Sequence, residues 1–213
     1  MKKVFLTGVL GCLCLTSCKK ETETNTVTKT DTIVITEADT TPKPVDTAEV
    51  NRAWAEYMTP GEMHKLLAEE TGTWDVTMTY WEGPDAAPET ATATANINMV
   101  LGGRYQEALY NGKMMGIDWQ GKSTVSYNNK TGTFTSTFID NTGTGMMVAT
   151  GHYDEAVKAI ISTGEMADIV TGKPVKFREV YTFVDSKTRK METFDKKEGV
   201  KEYKGMEIVM KRR

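Results

Sequence analysis

Gly72-Thr73-Trp74-Asp75-Val76-Thr77-Met78-Thr79-Tyr80 is the stretch that decides the fold. Trp74, Val76, Met78 and Tyr80 alternate with Asp75, Thr77 and Thr79. A period of two sends successive side chains to opposite faces of a pleated strand, so this is a strand with one apolar face. Gly83-Pro84-Asp85-Ala86-Ala87-Pro88 then ends it in a turn. The pattern returns downstream. Ala91, Ala93, Ala95, Ile97 and Met99 alternate with Thr and Asn, and Gly102-Gly103 interrupts the ladder before Arg104 to Tyr110 resumes it. Further strands are predicted over 117–127, 132–139, 145–153, 158–164, 174–184, 189–195 and 202–210. Asn128-Asn129-Lys130-Thr131-Gly132 and Asp185-Ser186-Lys187-Thr188 read as hairpin turns.

No helical pattern of useful length follows residue 72, which excludes βαβ units. About ten antiparallel strands joined by short turns predict an all-β, up-and-down barrel, because closure removes unpaired edges. Such an interior holds side chains and, with room to spare, one small ligand. The small face made by Ala91, Ala93 and Ala95 leaves two readings open: space for a guest, or close packing of an N-terminal helix.

That helix is predicted just upstream. Val50, Trp54, Tyr57 and Met58 have helical spacing within 48–58. Thr59-Pro60-Gly61-Glu62 then reads as a fresh start, with Thr59 as N-cap, Pro60 in the first turn and Glu62 completing a capping box. Met63, Leu66 and Leu67 form its apolar stripe, expected to cover one end of the sheet.

Residues 18–49 have the composition of a tether: Thr, Lys, Glu and Asp dominate, and no aromatic residue occurs. Asp31-Thr32-Ile33, Asp39-Thr40-Thr41 and Asp46-Thr47-Ala48 make Thr32, Thr40 and Thr47 candidate O-glycosylation sites of an exported protein. Residues 1–17 read as a signal peptide, with Lys2 and Lys3 ahead of the apolar run 4–15. Leu15-Thr16-Ser17-Cys18 resembles a lipobox, so Cys18 is the expected lipid acceptor and acyl chains the expected anchor. Lys19 after the acceptor favours the outer membrane of a cell envelope, with the face undecided. Cys12 and Cys14 would leave with the signal, so the predicted domain at 50–213 has no disulfide, thiolate nucleophile or cysteine metal site. Removing residues 1–17 takes away Lys2 and Lys3 and moves the formal charge from −3 to −5. Mean hydropathy is −0.41 and the pI about 5.6, with no basic footprint for nucleic acid.

His64 and His152 are the only histidines, expected on a helix surface and a strand surface. The sequence holds no HExxH, no G-x-S-x-G and no glycine-rich phosphate loop between strand and helix. Asp140-Asn141-Thr142-Gly143-Thr144-Gly145 lacks the distal glutamate of a calcium loop and reads as a turn. The thirteen methionines suit a soft core or pocket lining. Acid–base candidates are Glu107, Asp118, Asp140, Glu165 and Glu179. Glu179 should share a face with Phe177 and Tyr181; an inward carboxylate there needs a partner, for which Arg104 and Arg178 are the nearest candidates.

Several separated motifs resemble one bacterial family, catalogued as domain of unknown function 1579. They are Gly72-Thr73-Trp74-Asp75-Val76, the run Asn98-Met99-Val100-Leu101-Gly102-Gly103-Arg104-Tyr105, Met114-Met115-Gly116, Tyr127-Asn128, Asp140 to Met147, Gly164-Glu165-Met166 and Met206-Glu207-Ile208. The resemblance covers roughly Met58 to Lys211. It implies a calycin-type barrel, beside lipocalins, fatty-acid-binding proteins and nitrobindins, in which Trp74 packs across the barrel floor. Nitrobindins hold haem through a histidine near the C-terminal end; no histidine follows His152 here, which counts against haem.

The expected function is therefore non-catalytic binding of a small apolar or amphipathic molecule, with no cofactor and no metal. The candidate lining is Trp74, Met78, Tyr80, Met99, Tyr105, Met115, Phe134, Met147 and Tyr181. The alternative is a side-chain-filled barrel that works through exposed aromatics such as Trp81 or Trp119; an enzyme ranks third.

Overall fold

The computed structural model describes residues 46–196, 199 and 201–213. The signal segment, Cys18, Thr32 and Thr40 lie outside the described residues. Two helices, α1 (Thr47–Met58) and α2 (Glu62–Ala68), precede ten strands. The strands are β1 (Gly72–Tyr80), β2 (Glu89–Val100), β3 (Tyr105–Met114), β4 (Ile117–Asn128) and β5 (Thr133–Asp140), then β6 (Met147–Asp154), β7 (Ala159–Ala167), β8 (Pro174–Asp185), β9 (Thr188–Lys196) and β10 (Tyr203–Arg212). Each pairs antiparallel with its neighbours in sequence, and β1 closes on β10. The predicted up-and-down barrel is thus the observed fold.

Asp46 caps α1, its side chain accepting the Ala48 N–H at 2.9 Å. Thr47 is therefore the first helical residue rather than part of a tether. No residue of α1 is buried; Trp54 and Tyr57 contact each other edge to face in solvent. The helix is held by polar bonds instead. The Asn129 amide donates to the Thr59 carbonyl at 2.8 Å, Arg104 donates to the Met58 carbonyl at 2.7 Å, and Lys130 pairs with Glu56 at 3.1 Å.

α2 starts later than Thr59 predicts. Gly61 is the N-cap, and the expected side-chain cap is replaced by His64, whose Nδ1 accepts the Gly61 N–H at 3.1 Å. His64 is buried against the Tyr127 ring, a correction to the surface placement. Desolvation, then the nearby Arg104 charge, lowers its pKa, so the neutral ring that can accept this bond is favoured. His152 does lie on a strand surface, bonded to the Gly132 carbonyl at 3.1 Å. Leu67 of α2 is 1 % exposed and packs with Phe134, Ile160 and Phe183, so α2 plugs one end of the barrel.

The register settles the alanine face. Trp74 lies opposite Ala95, Val76 opposite Ala93 and Met78 opposite Ala91. The small side chains receive their bulky β1 neighbours, so they make room for neither a guest nor a helix. Two inward glycines let strands approach where the wall bends. A Cβ on Gly151 would strike the Ile161 carbonyl and Ser162, and one on Gly164 would strike the Val148 carbonyl and Phe177.

Candidate functional site

The closed end of the barrel carries a buried polar network. Glu70, in the turn after α2, is 1 % exposed. Its Oε1 accepts from Arg189 Nε and from the Tyr181 hydroxyl, each at 2.7 Å, and its Oε2 accepts from Gln106 Nε2 at 2.8 Å. The Trp74 indole N–H donates to the Glu70 carbonyl at 2.8 Å. Arg189 also donates to the Asp185 and Thr188 carbonyls and lies 4.8 Å from the Phe183 ring centre. Arg212 sits 4.4 Å above the Trp74 ring and donates to the Thr71 and Glu69 carbonyls. Every charge here has directed partners, which a buried ion pair needs to offset desolvation. Burial, and then the Glu70 charge, raises the Tyr181 pKa well above the usual phenol range. This is a structural floor with Trp74 across it.

Above the floor the wall divides. Trp74, Val76, Met78, Ala91, Ala95, Ile97, Ala108, Trp119 and Met210 form one dry cluster. By register the inner face continues through Tyr110 and Ser123, through Ser136, and through Ser162, Glu179, Met191, Thr193 and Ile208. Trp74, Val76 and Met78 of β1 expose only 0–2 %. Tyr110, Glu179, Tyr181, Met191 and Ile208 also face inward, yet remain partly exposed. Tyr110, Tyr181 and Ile208 pack against the dry cluster.

Glu179 is the notable member. Protein surrounds its carboxyl, and burial pushes its pKa up to about 7, while the residue as a whole stays partly exposed. Neither predicted arginine is its partner. Arg178 faces outward to Glu202 at 2.7 Å and to the Phe194 ring, and Arg104 is bonded at the floor end. Across the ladders Glu179 faces Ser162 and Thr193. Thr193 is 4 % exposed, and its Oγ1 is buried without a hydrogen-bond partner.

Three grooves of about 540, 430 and 520 Å³ open on the outer wall around Gly112, Gly121 and Gly164. They mark bends in the wall rather than an interior.

Of the predicted lining, Trp74, Met99, Phe134 and Tyr181 belong to the floor, while Met78, Tyr80 and Met147 face inward on the upper wall or its ends. Tyr105 and Met115 do not line the interior. Val100 pairs with Tyr105 across the Leu101–Arg104 turn, which puts Gln106 inside and Tyr105 outside, 38 % exposed. Met115 and Gly116 are the two residues of a tight turn with φ of 51° and 78°, so Met115 projects into solvent at the tip. Trp119 is 4 % exposed and faces inward, its N–H on Asp140 at 3.1 Å, which removes it from the outer-surface aromatics. Asp140 is inward too; burial opposes its charge, but bonds from Thr142 and Trp119 outweigh that and lower its pKa. Glu107 pairs with Lys122 at 2.8 Å and Asp118 approaches Lys113 at 3.9 Å, both on the outer wall, and Glu165 is exposed. Sequence reasoning missed Glu70, Gln106, Arg189, Ser162 and Thr193.

The family described as "Protein of unknown function (DUF1579)" matches residues 59–212, from the start of the floor segment to the last strand. The chain belongs to the DUF1579 family. No curated protein matches it. Among solved structures, a redesigned beta barrel is 13 % identical with a TM-score of 0.41, covering 72 % of this chain and 99 % of its own. EF1p2_mFAP2b bound to DFHBI is also 13 % identical, with a TM-score of 0.38, covering 71 % of this chain and 100 % of its own. In this DUF1579 barrel the floor is the built structural feature, and the lumen above it is the candidate site.

Proposed function

We propose that this DUF1579 protein is a lipid-anchored cell-envelope protein whose barrel binds, without catalysis, a small amphipathic molecule in its lumen. One observation carries the binding part: inward side chains above a sealed floor keep solvent-accessible surface, as a ligand-sized interior requires. The wall offers both apolar surface, at Met191 and Ile208, and polar groups, at Glu179 and Thr193. Native mass spectrometry of the full chain, purified gently from its own envelope, tests it. A reproducible adduct lost on denaturation is expected. A bare polypeptide mass, together with no saturable uptake of an apolar fluorescent dye, overturns it in favour of a filled barrel.

The anchor rests on the lipobox-like Leu15-Thr16-Ser17-Cys18. Metabolic labelling with an alkyne fatty acid should mark the wild-type chain and not Cys18→Ser; equal labelling of both removes the anchor at this residue.

A second reading rests on Glu179, since a carboxyl titrating near neutrality inside a cavity suits general acid–base work. It ranks second because no hydrogen bond joins that carboxyl to a neighbouring hydroxyl among the described residues. Turnover of a bound ligand that Glu179→Gln abolishes would promote it.

A further inference from the structure

We infer that the lumen is a site for an amphiphile with a protonated amine as its polar end, held against the Glu179 carboxylate between Ser162 and Thr193. The inference deepens the lumen reading and rests on it.

Charge is the first support. Among the described residues, the inward-facing acids above the floor are Glu89 at the mouth, Asp140, Glu179 and Asp195. Among the described residues the inward-facing cations are Arg189 and Arg212, both committed to the floor: Arg189 to Glu70, Arg212 to backbone carbonyls. The described residues of the upper wall therefore turn carboxylates and no cationic side chain inward. Low-dielectric walls concentrate that field, which favours a cation and opposes an anion.

Unmet hydrogen bonding is the second support. Glu179 has no hydrogen bond or ion pair among the described residues, and both arginines near it in sequence or by expectation are engaged elsewhere. Thr193 lies directly across from it with a buried Oγ1 that also has no partner. Buried polar groups normally find partners, so two unmet neighbours paired across one ladder point to something that completes them. A primary ammonium has three donors and no acceptor. Ser162, Glu179 and Thr193 set oxygen acceptors on three successive strands, β7, β8 and β9, which suits that donor set. A neutral alcohol offers one donor, and a carboxylate none. The apolar body would lie along Met191 and Ile208, which share this inner wall.

Burial holds the Glu179 carboxyl near 7, partly uncharged at neutral pH, and an ammonium beside it would restore the charged form.

Isothermal titration of the full chain carrying Cys18→Ser tests this, with n-decylamine, 1-decanol and decanoate as probes at pH 8, each below its micelle threshold. Decylamine should bind about tenfold tighter than decanol, with decanoate weakest, as a charge-assisted bond in a dry site predicts. In Glu179→Gln the preference for the amine over the alcohol should shrink to within about twofold. Thr193→Val should weaken decylamine several-fold more than decanol. Circular dichroism confirms that each variant is folded. Equal binding of all three probes by the wild-type chain, or a preference that survives Glu179→Gln, overturns the inference and leaves the lumen reading standing. No binding of any probe overturns both.

Discussion

A carboxylate facing a cavity without a counter-charge is unfavourable for the folded chain, and Glu179 is that residue. Its ordinary value is 4.5 and its folded value about 7, so the unfolded chain releases this proton first as pH rises. Stability is therefore lost between about pH 4.5 and 7 and stays reduced above, by up to about 3 kcal/mol for a shift of that size. Among the nearby charged groups, Glu70 and Arg189 are bonded to each other, and the pKa of Asp140 is shifted down, away from this window. The expected outcome is that Glu179→Gln is more stable than wild type in urea at pH 8, and indistinguishable from it at pH 4. Equal stability at pH 8 would show that Glu179 is compensated. Spacing in the sequence put Glu179 on one face with Phe177 and Tyr181, and the register shows that face to be the inner one. The sequence offered no way to see that Arg178, one residue away, points outward to Glu202, because pairing across a ladder depends on register rather than proximity along the chain.

At the scale of elements, alternation was enough. All ten strands were legible because each carries a period of two, and sequential hairpins imply a meander. Turn chemistry was less legible, and a shift of one residue reverses a side chain's face. Tyr105 and Met115 were lost to that effect, one by the pairing of Val100 with Tyr105 and the other by the two-residue Met115-Gly116 turn. Glu70 was invisible for another reason: an acidic residue in a turn reads as solvated unless its partners are known, and Arg189 is 119 positions away. The inward glycines yield an element-scale prediction. Gly151→Ala must push β6 away from the Ile161 carbonyl, a backbone group that cannot rotate aside. A loss of at least about 1–3 kcal/mol is expected, measured as a lower thermal midpoint. Gly143→Ala, with open space around its Cβ, should be close to neutral.

Across the whole molecule, the floor joins distant parts of the chain. Glu70 precedes the first strand, Tyr181 and Arg189 come from β8 and β9, and Arg212 ends β10. Arg189→Met leaves a carboxylate in a site 2 % exposed with one fewer partner. About 3–5 kcal/mol should be lost, as when one member of a buried pair is removed. Glu70→Leu combined with Arg189→Met should recover part of that loss, which equilibrium unfolding of the two single variants and the double variant would show as non-additivity.

The sealed floor also has a kinetic side. α2, Leu67, Trp74 and Phe134 close one end, and among the described residues no helix covers the other. A chamber with one doorway cannot pass guests through. An arriving molecule would have to wait until the resident had left, so excess competitor would not hasten departure, and how long a guest stayed would depend on its contacts within as well as on the doorway.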